Sequence, residues 1–124
     1  GVKVIETVRG RCDRQAFRWM PHLNLFFPFF ASLGSKPRRM AALKEVLEHF
    51  GPFILTFDRL GHFPGKSVNV VYLAPDEASM ITLRELREAL RVGVCPSVSP
   101  DFTPHLTVGQ VNDSQMEAVR GEFV

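Results

Sequence analysis

The sequence predicts an α+β fold in a single domain, on three observations. Helical and strand periodicities alternate along the chain, two strand-like runs in its middle are joined by a short turn region, and one five-residue block occurs twice. Alternation by itself would allow a parallel sheet, but the hairpin and the repeat favour an antiparallel one with the helices outside it. The length of 124 residues suits one core and leaves no room for two independent ones. With 45% apolar and 23% charged residues the chain lies far from the composition of disordered segments.

The elements follow in order. Val4, Ile5, Val8 and Cys12 recur at helical spacing with Lys3, Glu6, Arg9 and Arg11 on other faces, which predicts an amphipathic helix running to about Asp13. Trp19 to Phe29 reads as β-rich. After Gly34-Ser35, the residues Met40, Leu43, Val46, Leu47 and Phe50 mark a second helix, started by Ser35 and Pro37 and stopped at Gly51. Phe53 to Leu60 and Val68 to Leu73 are strand candidates around a Gly61/Pro64-Gly65 turn, and so an antiparallel pair. Asp76 to Val92 reads as a third helix with Leu83, Leu86 and Leu90 facing the core. Phe102 to Val111 is a further strand, and Asp113 is the expected N-cap of a last helix from Ser114.

Composition narrows the function classes. Fifteen basic against 13 acidic residues give a net charge of +2, too mild for a polycationic nucleic-acid coat yet compatible with a local phosphate-binding surface. The apolar run from Leu25 to Leu33 is about half a membrane span and is broken by Pro28, so no membrane insertion is expected. Cys12 and Cys95 form neither a disulfide framework nor a metal knuckle, and no secretory leader pattern opens the chain. Localisation inside the cell, cytoplasmic or nuclear, is the expectation. Gly1 is no myristoylation acceptor, because Ile5 stands where that motif needs Ser or Thr.

The repeat carries the chemistry. Pro21-His22-Leu23-Asn24-Leu25 returns 83 residues later as Pro104-His105-Leu106-Thr107-Val108, with Trp19 and Phe102 each two residues before the proline. Alternation along a strand turns His22, Asn24 and Phe26 to one face and Leu23, Leu25 and Phe27 to the other. The same rule sets His105 beside Thr107 and buries Leu106 and Val108. Two such faces opposed across a pseudo-twofold axis would hold two imidazoles and two hydrogen-bonding side chains around one small anion. An imidazole has an ordinary pKa of about 6.5, which keeps both its acid and base forms accessible near neutrality.

The paired blocks, read as Arg18-Trp19-Met20-Pro21-His22-Leu23-Asn24-Leu25-Phe26-Phe27-Pro28-Phe29 and Phe102-Thr103-Pro104-His105-Leu106-Thr107-Val108-Gly109-Gln110, resemble the two-histidine phosphoesterase superfamily. That group includes bacterial 2′-5′ RNA ligases, cyclic nucleotide phosphodiesterases and A-kinase-anchoring-protein-type domains. Within it the chain is similar to a eukaryotic branch with leukocyte receptor cluster proteins. The resemblance implies a bilobal, pseudo-twofold duplicated fold, with two antiparallel sheets flanking a central cleft and helices outside. Asn24 departs from the usual Thr or Ser, but its amide still offers a donor. The family's strands before the first helix and after the last are not legible, so one two-lobed domain over residues 1–124, trimmed at both ends, is expected.

From the resemblance and the repeat together follow the expected roles. His22 and His105 are the catalytic pair of a metal-independent phosphodiesterase acting on RNA or a small nucleotide, at a 2′-5′ linkage or a 2′,3′-cyclic phosphate, with no cofactor. Asn24 and Thr107 bind the phosphate oxygens, and Phe63 and Tyr72 lie near strands that the family places beside the cleft, where they can stack a base. No metal is expected, since two histidines do not fill the three protein positions of a catalytic zinc site. The basic residues Arg9, Arg11, Arg14, Arg18, Lys36, Arg38 and Arg39 read as solvated faces, and His49 and His62 as structural imidazoles in or near the core. Two rival readings stay open, a non-catalytic RNA- or nucleotide-binding module with the same cleft and a protein-interaction domain.

Overall fold

The computed structural model describes residues 2–27, 29 and 34–123. Along the chain run α1 (Val2–Cys12), α2 (Lys36–Leu47), β1 (Phe57–Phe63), β2 (Asn69–Pro75), α3 (Glu77–Val94), β3 (Leu106–Val111), a 3₁₀ turn (Asp113–Gln115) and α4 (Met116–Glu122). The fold is α+β, with an antiparallel sheet in the order β1-β2-β3. It is the one sheet among the described residues; a second sheet and a duplicated arrangement are not found there. The chain divides into two compact units, one from Gly1–Asn24, Phe57–Pro75 and His105–Val124, the other from Leu25–Thr56 and Asp76–Pro104.

The first unit is built on the sheet. Alternation on β2 buries Val71 and Leu73, and β3 adds Leu106, Val108 and Val111 to the same face. Val8 of α1 and Met116 and Val119 of α4 close over that face to form the core. The pairing steps from Tyr72↔Thr107 to Val71↔Gly109, so Val108 is an extra residue, a β-bulge, and the bulge explains why Val108 and Gly109 are buried in succession. Gly109 is required here, because a Cβ on it would meet the Cys12 Cβ at 2.7 Å and the Cys12 backbone at 3.2 Å. Helix α1 lies directly on the strand at that point.

Local chemistry moves several boundaries from those the pattern predicts. β1 begins at Phe57 rather than Phe53, leaving Ile54 exposed, and it runs through Gly61 to Phe63. Gly61 is a strand residue and not a turn: the Tyr72 ring lies over it, with ring atoms 2.6–2.7 Å from where a Cβ would stand. β3 begins only after Pro104, which has no N–H for a ladder. Asn112, not Asp113, caps the last helical segment, accepting from the Gln115 N–H at 3.1 Å while the Gln115 side chain accepts from the Asn112 N–H at 3.0 Å. Asp113 instead accepts from the buried Asn69 amide at 2.8 Å.

The predicted strand over Trp19 to Phe29 forms no named strand among the described residues; Pro28 lies outside them. Among its described residues a single antiparallel bridge, Leu23↔Leu106, is the only pairing. Pro21 offers no N–H, and the carbonyls of Trp19 and Met20 are bonded to the side chains of Arg9 and His22 rather than to a ladder. Phe27, expected on the buried back, is 88% exposed.

In the second unit, α2 is capped by Ser35, whose Oγ accepts from the Arg38 N–H, and Pro37 sits in its first turn. Asp76 caps α3 through the Ser79 N–H at 2.8 Å, and the Ser79 hydroxyl accepts from the Thr56 N–H at 2.8 Å. Gly93 lets α3 approach Val46 of α2, where a Cβ would meet the Val46 methyl at 2.6 Å. No described helix is long and apolar enough to cross a membrane.

Candidate active site

The site is built on the sheet face of the first unit that the core does not cover. Tyr72 pairs with Gly61 on one side and with Thr107 on the other, so Tyr72 and Thr107 project from this open face. Phe63 joins them diagonally, its ring centroid 4.6 Å from that of Tyr72. His105 packs edge-on to both, at 5.1 Å from Phe63 and 5.4 Å from Tyr72. Four of the six predicted site residues, His105, Thr107, Phe63 and Tyr72, are thus neighbours.

The other two arrive through the Leu23↔Leu106 bridge, which sets the first Pro-His-Leu block antiparallel to the second. Opposed residues share a face, so Leu23 and Leu106 turn together toward the core. Thr107 turns to the open face by alternation and His105 lies against the rings there, while the bridge at Leu23 brings His22 and Asn24, on either side of it, alongside the second block. His22 and Asn24 are exposed, whereas His105 and Thr107 are half-buried.

His22 has a defined tautomer. Its Nδ1 lies 2.8 Å from the Met20 carbonyl, which only accepts, so Nδ1 carries the proton and Nε2 is the nitrogen left for chemistry. The carbonyl one residue earlier, that of Trp19, is held by a network that sequence reasoning missed. Arg9, 4% exposed, donates from Nη2 to the Trp19 carbonyl at 2.6 Å and from Nε to Asp13 at 2.8 Å. Asp13 also accepts from the Gln15 N–H at 2.9 Å and the Gln110 amide at 3.2 Å. Burial raises the Asp13 pKa, but these bonds outweigh it and hold the carboxyl below its ordinary range. Reading Arg9 as part of a solvated face is therefore wrong; the Arg-x-x-x-Asp spacing was the available signal, one helical turn that allows an ion pair.

His49 and His62 are exposed rather than core. Arg87 of α3, only 5% exposed, is a second buried cation the sequence did not announce. Within the second unit it donates to the carbonyls of Leu25 at 3.2 Å and Ser99 at 2.8 Å, and lies 4.6 Å from the Phe26 ring centre and 5.2 Å from that of Phe102. The segment that leaves the first block is thereby tied to the one that enters the second. A concavity of about 390 Å³ in the second unit, lined by Arg84, Arg87, Glu88, Pro100, Asp101 and Phe102, contains none of the six residues. Its mixed charge offers no convergent set of donors. Among the described residues no three His, Cys, Asp or Glu side chains are placed to hold a metal ion.

Two blocks of the Pro-His-Leu type, bridged antiparallel at Leu23↔Leu106, fit the family whose profile matches residues 2–123, the 2′-5′ RNA ligase superfamily. The chain belongs to this superfamily. It is thereby one of the two-histidine phosphoesterases, a group that is in general phosphoesterase- and ligase-like and suggests RNA or nucleotide substrates. No curated protein and no solved structure matches the chain.

Proposed function

We propose that the protein is a metal-independent phosphodiesterase of RNA or small nucleotides, cutting 2′-5′ linkages or opening 2′,3′-cyclic phosphates with His22 and His105 as its general acid and base. The Leu23↔Leu106 bridge carries this reading, because it sets the two histidine blocks side by side. One neutral imidazole takes the proton of a water or ribose hydroxyl as it attacks phosphorus. The other, protonated, gives its proton to the departing oxygen. At His22 the proton stays on Nδ1, which donates it in a hydrogen bond to the Met20 carbonyl, and Nε2 does the transfer. The Asn24 amide and the Thr107 hydroxyl donate to the non-bridging oxygens, where charge develops. Phe63 and Tyr72 offer ring surface beside His105 for a base.

With this reading go the family's single two-lobed, duplicated domain over residues 1–124, membership of its eukaryotic branch, and work inside the cell in the cytoplasm or nucleus. The free thiols of Cys12 and Cys95 support that compartment. Asn24, where the family has a hydroxyl residue, favours the alternative of a nucleotide-binding module without turnover. The test is a panel of 2′-5′ oligoadenylate, 2′,3′-cyclic nucleotides and short RNA, assayed in EDTA with wild type, His22→Ala and His105→Ala. Turnover by wild type, lowered about 10²- to 10⁴-fold in each variant, is expected. Binding without turnover would establish the alternative, and recovery only on adding a divalent metal would overturn the metal-free mechanism.

A further inference from the structure

Trp19 is the chain's one tryptophan, and its indole is 53% exposed. Its backbone is fixed from both sides: the N–H donates to the Gln15 carbonyl at 2.9 Å, and the carbonyl accepts from buried Arg9 at 2.6 Å. A large aromatic ring half open to water on a rigid mount is pre-organised for a ligand, which then need not order it on binding. The indole centroid lies 6.1 Å from the His22 ring, at an interplanar angle of 52°. Arg18 places its guanidinium over the indole ring, 5.8 Å from the centre, so a cation already borders the exposed aromatic surface. His105 has its own aromatic neighbours in Phe63 and Tyr72. Each histidine therefore has an aromatic surface beside it, and the two surfaces differ.

We propose that Trp19 is a base-stacking platform, so that the site takes a phosphodiester with a nucleobase on each side: one base on Trp19 beside His22, the other on Phe63 and Tyr72 beside His105. The preferred substrate class is then a dinucleotide linkage within an oligonucleotide, ahead of a 2′,3′-cyclic mononucleotide, which fills one platform only. Arg18, beside the indole, supplies a cation to the phosphate chain. This rests on the two-histidine reading and adds the substrate's size and the residue that measures it.

The single tryptophan makes fluorescence a reporter of this one position. Adding a 2′-5′-linked diadenylate should quench or shift the Trp19 emission, and ribose 5-phosphate, which has no base, should not. Trp19→Leu should raise KM for the dinucleotide roughly five- to 150-fold, the loss of one stacked base, with kcat little changed and Trp19→Phe restoring most of the loss. KM for a 2′,3′-cyclic mononucleotide should move less. Calorimetric binding of the dinucleotide with unchanged emission, or equal KM values for Trp19→Leu and wild type, would overturn the platform while leaving the histidine mechanism standing. Quenching by a dinucleotide that is never turned over would do the reverse. Absence of any nucleotide binding in calorimetry would overturn the platform as well.

Discussion

Replacing Arg9 by Met tests whether the first histidine block is held by a buried ion pair. The Arg9 and Asp13 side chains are 5% and 4% exposed, so the pair is dry. The change removes the Nε bond to Asp13 at 2.8 Å and the Nη2 bond to the Trp19 carbonyl at 2.6 Å. Leaving one partner of such a pair costs about 3–5 kcal/mol. Asp13 keeps its bonds from the Gln15 N–H and the Gln110 amide, so the lower end applies. A loss of about 3 kcal/mol is a large part of the 5–15 kcal/mol that holds a typical domain together, and at about 4 °C per kcal/mol it lowers Tm by roughly 12 °C. Circular dichroism melts of wild type, Arg9→Met, Asp13→Leu and the double variant form the cycle. The double variant should regain part of the loss, because no buried charge is left unpaired. The pair should also show in the pH dependence. The folded pKa of Asp13 is depressed, so its contribution is fully present above the unfolded carboxylate value of about 3.9 and is lost as pH falls through the lower folded value. A fall in Tm under about 4 °C for Arg9→Met, on the same scale, or no recovery in the double variant, would refute the reasoning.

Asn24→Thr should keep most of the activity, whereas Asn24→Leu, similar in size but without a donor, should lose about 2.7–4 kcal/mol of transition-state stabilisation, read from kcat/KM. Gly61→Ala drives a methyl into the Tyr72 ring, which must leave its place 5.4 Å from His105. KM should rise with little change in Tm, and the substitution should have no effect on KM in a Tyr72→Leu background.

Much of the fold was legible because single residues announce it. Ser35 with Pro37, and Asp76, mark the starts of α2 and α3, and the period-2 pattern of Val71 and Leu73 marks β2. The hairpin was visible, but its turn was set too early, since a strand glycine and a turn glycine look alike until the Tyr72 ring is seen over Gly61. The repeated block alone singled out His22, Asn24, His105 and Thr107, and the Leu23↔Leu106 bridge brings the two copies of that block together. The strand expected around His22 was not, because its carbonyls bond to the distant Arg9 side chain and to the His22 ring, and local periodicity carries no trace of such partners. Arg9 and Arg87 were missed for a related reason. A buried arginine is decided by the carbonyls and rings that surround it, which come from elsewhere in the chain.

The central claim, that His22 and His105 work as an acid and base pair, is tested most directly by the pH dependence of single-turnover cleavage. Wild type should give a bell, because one imidazole must be neutral while the other is charged, and His22→Ala and His105→Ala should each lose one limb. A rate that is flat from about pH 5 to 8 with chemistry rate-limiting, or a bell that survives intact in either variant, would contradict it.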